Sequence, residues 1–91
     1  MTQNSIGIIE THSYAWALKI LQNSEMSDLV KLMKIEKPGN GIVSVFIEGD
    51  LVSVNKMVDE SNAALQKEGQ SVSTFIIPKP HDDLIKYLRE K

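Results

Sequence analysis

The sequence predicts an α+β domain of the ferredoxin-like type, with helices on one face of a four-stranded antiparallel sheet and a short C-terminal helix after it. Two observations predict this fold. Four short runs rich in β-branched residues and two longer helical patterns follow one another in the order β-α-β-β-α-β. The chain has 91 residues, 42% of them hydrophobic, which suffices for one compact core. We therefore expect a single domain over residues 4–91.

The first strand and the first helix are predicted from the opening quarter of the chain. The run Ser5–Thr11 is β-branched and ends in polar residues, and the Ser13 hydroxyl can cap a helix that ends near Ser24. Trp16 and Ile20 form a second apolar face of this helix, apart from its main stripe. We expect a further surface, other than the core that the main stripe contacts, to cover this second face. The main stripe consists of Tyr14, Ala17, Leu18 and Leu21.

A hairpin is predicted next. The runs Asp28–Lys37 and Gly41–Gly49 are rich in Val, Ile, Leu and Phe, and the cluster Pro38–Gly41 separates them. Glycine and asparagine adopt positive φ readily, as a tight hairpin turn requires. The two runs should therefore pair as antiparallel strands.

The second half of the chain predicts a helix, a strand and a terminal helix. Asp50 is a good N-cap for a helix that Gly69 would terminate. The fourth strand, Val72–Ile77, stops at a segment with two prolines, and the terminal helix Asp82–Arg89 has two carboxylates in its first turn, where the helix dipole favours them. The buried face of the longer helix should consist of Val54, Met57, Val58, Ser61 and Leu65.

Composition narrows the function classes. The formal net charge is -2 and the basic residues are scattered, so nucleic acid is not an expected partner. No apolar run reaches the length that a bilayer requires and no signal peptide is visible, so we expect a cytoplasmic protein that does not bind membranes. The chain has no cysteine, which excludes disulfides and thiolate metal sites.

Chemically active clusters are not predicted. His12 and His81 are the only histidines, and neither has other ligands at the short spacing of a metal site. The simplest role of His81 is at the entry to the terminal helix. No nucleophile or paired-carboxylate pattern stands out, and the glycines near Asn40 lack the spacing of a phosphate loop. We expect no metal, no cofactor and no catalysis.

Three segments resemble a known family. Ile6–Thr11 (IGIIET) is similar to the opening strand of the hexamer-forming shell proteins of bacterial microcompartments, the BMC-H family. Glu36–Gly41 (EKPGNG) is similar to the family's pore loop, and Ile77–His81 (IPKPH) to its closing phrase, with lysine for arginine. The segments keep the family's order and separations, and the resemblance extends from Ile6 to Leu88.

The resemblance implies a BMC domain that assembles into a cyclic homo-hexamer and has no enzymatic activity. The loops of six subunits would surround a central pore for small metabolites, and the pore residues would be Lys37, Pro38, Gly39, Asn40 and Gly41. Hexamers would tile with other shell proteins around encapsulated enzymes, whose targeting peptides are further expected partners. The hexamer edge would contain Met26, Lys79, Pro80 and His81.

Two positions depart from the family pattern at this edge. Met26 stands where many flat-tiling members carry a lysine, and Lys79 lacks the bidentate fork of the usual arginine. We therefore expect flat sheets to form less readily. In the pore loop, Pro38 and Asn40 stand where smaller or aliphatic residues are common, so the aperture should differ from that of relatives.

Two other readings share the predicted order of elements. A ferredoxin-like oligomeric small-molecule sensor would be expected to carry a long effector loop or a glycine-rich ligand turn that leads into a helix. An acylphosphatase-like enzyme would be expected to carry an arginine in an anion loop after the first strand. The chain shows neither feature, and the number of subunits in the oligomer would separate the sensor from the shell protein.

Overall fold

The computed structural model describes residues 4–25 and 29–90, and the predicted order of elements is confirmed. Within these ranges, four strands and three helices follow one another in the order β-α-β-β-α-β-α. Their bounds are β1 Ser5–Thr11, α1 Tyr14–Glu25, β2 Val30–Gly39, β3 Ile42–Gly49, α2 Leu51–Lys67, β4 Val72–Ile77 and α3 Asp82–Glu90.

The sheet is antiparallel throughout, with the strand order β2-β3-β1-β4. α1 connects β1 to β2 across β3, and α2 connects β3 to β4 across β1. The fold thus consists of two interlocked split β-α-β units, which is the ferredoxin-like arrangement. β1 and β3 lie in the centre, and β2 and β4 are the edges.

The hydrophobic core lies between the sheet and the pair α1 and α2. Because side chains alternate along a strand, one face of each strand points to these helices. Gly7 on β1 shows how close the layers are: a Cβ added there would lie 2.8 Å from Val54 and 2.9 Å from Val58 on α2. The core consists of Ile9, Ala17, Ile20, Val30, Val43, Val45, Ile47, Val54, Met57, Val58 and Leu65.

The orientation of α1 differs from the prediction. Ala17 of the predicted stripe is buried, but Tyr14 and Leu18 of the same stripe are 47% and 45% exposed. Ile20 is buried instead, and Trp16 packs against the core. The face expected to need an outside cover therefore packs on the subunit's own sheet. Periodicity could not distinguish the two faces because both are apolar. Trp16 and Ile20 carry large apolar side chains, whereas the Tyr14 hydroxyl can hydrogen-bond to water at the surface.

The predicted caps of α2 are confirmed. The carboxylate of Asp50 accepts a hydrogen bond from the Ser53 N–H at 3.0 Å, and hydrogen bonds from Ser53 lower the pKa of Asp50. At the other end, Gly69 has a φ of 72° and Gln70 N–H donates to the Leu65 carbonyl at 2.9 Å. This is the Schellman arrangement, in which glycine supplies the left-handed residue.

Both hairpin strands begin later than predicted and β2 also ends later, whereas β3 ends at Gly49 as predicted. β2 starts at Val30 and continues through Lys37 to Gly39, and β3 starts at Ile42 rather than at Gly41. The predicted start at Asp28 lies outside the described residues. Pro38 is accommodated within β2 because β2 is an edge strand, where a missing N–H need not break a ladder bond.

The terminal helix α3 is tied to the outer face of the sheet, opposite α1 and α2. Arg89 bonds Glu48, which lies opposite Ile6 in the β1–β3 register and so points away from the helix layer. Leu88 on α3 is buried. In the segment between β4 and α3, the Pro78 carbonyl accepts a hydrogen bond from the Ser5 hydroxyl at 2.8 Å. Together these contacts fix the segment after β4.

Candidate functional site

The candidate pore loop is a two-residue hairpin turn at the tip of β2 and β3. Asn40 and Gly41 have φ values of 56° and 77°, as in the turns whose twist matches that of the flanking strands. Gly39 also has positive φ, at 127°. The five predicted pore residues, Lys37, Pro38, Gly39, Asn40 and Gly41, are all exposed.

A β-bulge lies at the base of this turn. The register passes from Glu36 opposite Ser44 to Gly39 opposite Ile42, so that Lys37 and Pro38 together face one residue of β3. A bulge bends its strand and changes the direction of the side chains within it. Here Lys37 and Pro38 are the two residues of the bulge, directly before the turn.

Lys37 contacts an aromatic ring rather than a carboxylate. Its Nζ lies 4.0 Å from the centroid of the Tyr14 ring, at the start of α1. Glu36 is paired instead with Lys34. In the described residues no carboxylate lies within 4 Å of Lys37 Nζ. Sequence reasoning missed Tyr14 as a partner because no local pattern links positions so far apart in the chain.

The candidate edge segment follows β4. Lys79 and His81 are exposed, and Pro80 is buried. Asp83 N–H donates to His81 Nδ1 at 3.1 Å, and the His81 carbonyl accepts from Ile85 N–H at 3.2 Å, so the predicted role of His81 at the entry to the terminal helix is confirmed. Met26, the other predicted edge residue, lies outside the described residues.

The two candidate segments lie at diagonally opposite corners of the sheet. The turn joins β2, one edge strand, at the end where Thr11 of β1 lies opposite Val43. The edge segment leaves β4, the other edge strand, at the end where Ile77 lies opposite Ile6. The fold therefore separates the two sets by the full width and length of the sheet.

Residues 4–25 and 29–90 do not contain a cluster of three His, Asp or Glu side chains that could hold a metal ion. No helix in these ranges is long and apolar enough to cross a bilayer. A groove of about 540 Å³ lies between α1 and α2, with Trp16, Lys19, Met57 and Glu60 in its walls.

A comparison of the chain with known protein families identifies the family to which this fold belongs. The model of the BMC domain family matches residues 5–80. This chain belongs to the BMC domain family. The matched range contains all of the sheet and the two helices packed on it, and it ends at Pro80, before α3.

Similar BMC proteins are shell proteins by name. The chain is 33% identical over 88 residues to the bacterial microcompartment shell protein PduA of Citrobacter freundii, covering 97% of this chain and 95% of the relative. It is 30% identical over 80 residues to the microcompartment shell protein EutM of Escherichia coli K12, covering 88% and 82%. It is 30% identical over 82 residues to the carboxysome shell protein CcmK2 of Synechocystis, covering 88% and 80%.

A solved structure shares the fold. A microcompartment protein from Desulfitobacterium hafniense superposes with a TM-score of 0.82 at 23% identity, over 98% of this chain. This chain spans 48% of that one. The predicted BMC fold and the assignment to structural shell proteins rather than enzymes are thus confirmed.

Proposed function

We propose that six copies of this BMC domain close into a ring with a central pore, and that the rings tile with other shell proteins in the shell of a cytoplasmic microcompartment. The relatives named as microcompartment and carboxysome shell proteins support this assembly. The enclosed space would hold enzymes, and small metabolites would cross the shell through the pore. Lys37–Gly41 would line the pore, and Lys79–His81 with Met26 would form the outer edge.

The observation that carries the proposal is the diagonal separation of the two candidate segments. A cyclic ring brings one corner of each subunit to the axis and leaves the opposite corner at the rim. Lys37–Gly41 and Lys79–His81 lie at such opposite corners. One rigid subunit can therefore contribute the first segment to the axis and the second to contacts between neighbouring rings.

Exposed apolar side chains give further support. A head-to-tail ring uses two different surfaces of each subunit, and both are covered when the ring closes. Leu18 on α1 is 45% exposed, and Phe75 on the edge strand β4 is 53% exposed. A closed ring would cover these two side chains, which lie on different elements of the subunit.

The pore would be small and polar. Asn40 stands at the tip of the turn and carries both a donor and an acceptor. Six Lys37 ammonium groups would raise the local positive potential. This chemistry favours small anionic or hydrogen-bonding metabolites over apolar ones.

Two measurements test the proposal. Sedimentation should give one species near about 61 kDa, six times the chain mass of 10.2 kDa, and a stable monomer or trimer would contradict the ring. Conductance of the ring in planar bilayers should rise in Asn40→Gly and fall in Asn40→Leu. Conductance indifferent to both changes would remove Asn40 from the pore, and Asn55→Leu on the exposed face of α2 is the matched control.

A further inference from the structure

We propose that Tyr14 is a positioning residue, which fixes the Lys37 ammonium beside the hairpin turn and thereby sets the preference of the pore for anions. The inference deepens the proposed function and rests on it. It assigns a determinant of selectivity to a residue of α1, outside the loop that would line the pore.

The contact has the geometry of a cation–π interaction. Lys37 Nζ lies 4.0 Å from the centroid of the Tyr14 ring, within the roughly 6 Å over which the ring face attracts a cation. The ring also stands on a fixed support. Ser13 caps α1, with its hydroxyl accepting from Trp16 N–H at 3.3 Å and its carbonyl from Ala17 N–H at 3.0 Å.

Lys37 lies on the face of the sheet that α1 covers, because side chains alternate along a strand. Glu36 lies opposite Ser44, on the outer face of the sheet where Glu10 binds the Ser44 hydroxyl. Lys37, in the bulge, reaches α1 on the other face. Its charge is thereby directed away from the carboxylates of Glu36 and Glu10.

An aromatic partner holds a cation without neutralising it. A carboxylate within contact distance would cancel most of the ammonium's field, whereas the ring leaves the full charge in place. In the part of the chain that the structure describes, no carboxylate lies within 4 Å of Lys37 Nζ. Six such ammonium groups around an axis would attract anions to the mouth of the pore.

The expected size of the effect follows from the exposure of the pair. A cation–π contact at an exposed site favours the held position of the lysine by roughly two- to five-fold over free rotamers. Loss of the ring should therefore reduce the anion preference of the pore without abolishing it. Loss of the lysine should reduce it further.

The experiment uses four single variants of the whole chain and the double variant Tyr14→Leu/Lys37→Gln. Tyr14→Leu removes the ring, Tyr14→Phe keeps it, Lys37→Gln removes the charge, and Lys19→Gln is the matched control because Lys19 contacts Trp16 instead, at 4.5 Å. Chemical shifts of the Lys37 Cε protons report the contact through the ring current. Reversal potentials of assembled rings in planar bilayers under a potassium chloride gradient report the selectivity.

We expect Tyr14→Leu to remove the ring-current shift and to lower the chloride-to-potassium permeability ratio by roughly two-fold or more, and Tyr14→Phe to retain both. Tyr14→Leu should have no further effect in the Lys37→Gln background, and Lys19→Gln should leave the ratio unchanged. If Lys37→Gln lowers the ratio and Tyr14→Leu does not, the role of Tyr14 is overturned while the pore stands. If the rings pass no ions, the pore and this inference both fail.

Discussion

Arg89 on α3 donates from Nη2 to both carboxylate oxygens of Glu48 on β3, at 3.0 and 2.8 Å. The Glu48 side chain is 11% exposed and that of Arg89 is 55% exposed, so the two partners are unequally buried. Asn4 Nδ2 lies 3.4 Å from the same carboxylate. The pair attaches the terminal helix to a central strand from a position 41 residues away in the chain.

The first prediction follows from the unequal burial of Glu48 and Arg89. Arg89→Met leaves a buried carboxylate with only Asn4 and should cost about 1–3 kcal/mol of unfolding free energy. Glu48→Gln leaves a half-exposed arginine and should cost less than about 1 kcal/mol. The double variant should be more stable than Arg89→Met alone, as measured by urea denaturation. Lys86→Met on the exposed face of α3 is the control, and equal losses in the two single variants would contradict the argument.

The second prediction compares two glycines. In Gly7→Ala the new methyl would press on the γ-methyl groups of Val54 and Val58, and overpacking of this kind costs about 1–3 kcal/mol. In Gly49→Ala it would collide with the Leu29 carbonyl oxygen, which is backbone and cannot rotate away. Gly49→Ala should therefore be the more destabilising variant in thermal unfolding. The reverse order would show that the segment before β2 yields more readily than the core.

The third prediction separates the backbone of the turn from its side chain. Asn40 has positive φ, which glycine and aspartate tolerate and which costs a residue such as leucine about 1–2 kcal/mol. Asn40→Gly and Asn40→Asp should unfold near the wild-type temperature, and Asn40→Leu should be less stable. The same measurement shows whether Asn40→Leu folds, which the conductance test of this variant requires. Equal stability of all three variants would show that the positive φ at position 40 does not destabilise leucine there.

The fourth prediction concerns the edge between rings. Lysine donates as a single point, whereas arginine presents a planar fork that can bond two acceptors. Met26→Lys together with Lys79→Arg should increase ordered two-dimensional sheets in electron micrographs. Lys67→Arg on the exposed end of α2 is the control. Wild-type protein that already forms extended flat sheets as readily would count against the proposed edge.

The fifth prediction concerns pH. Hydrogen bonds from Ser53 lower the pKa of Asp50 from its ordinary value of 3.8. A group with a lowered folded-state pKa stabilises the fold above its unfolded pKa, and the contribution is lost as the pH falls through the folded pKa. Asp50→Asn keeps a cap but does not titrate. The difference in thermal unfolding between wild type and Asp50→Asn should thus shrink below about pH 3.8, and a difference that is constant across this range would contradict it.

Local chemistry explains which parts of the structure could be predicted from the sequence. Asn40 and Gly41 specify their turn, Asp50 its cap and Gly69 its helix end, since each depends on residues only a few positions away. The family resemblance to the pore loop likewise depended on one contiguous segment. Patterns within contiguous segments were therefore enough to predict the fold and to name the residues of the candidate site.

Contacts between distant residues could not be predicted in this way. The pairing of Lys37 with Tyr14 and of Arg89 with Glu48 depends on how the elements dock. On α1 the predicted stripe is buried at Ala17 but exposed at Tyr14 and Leu18, because the helix has two apolar faces and its packing on the sheet determines which one is buried. The bulge at Pro38 was missed because a proline beside glycines also predicts a loop.

The interlocked strand order has a consequence for synthesis. β1 is the first strand to leave the ribosome, yet its two neighbours are β3 and β4, and Ile77 of β4 pairs with Ile6. β1 therefore gains its second neighbour only after β4 has been synthesised. Until then the pairing groups along one side of β1 have no partner strand, and closure of the sheet depends on contacts between residues far apart in the chain.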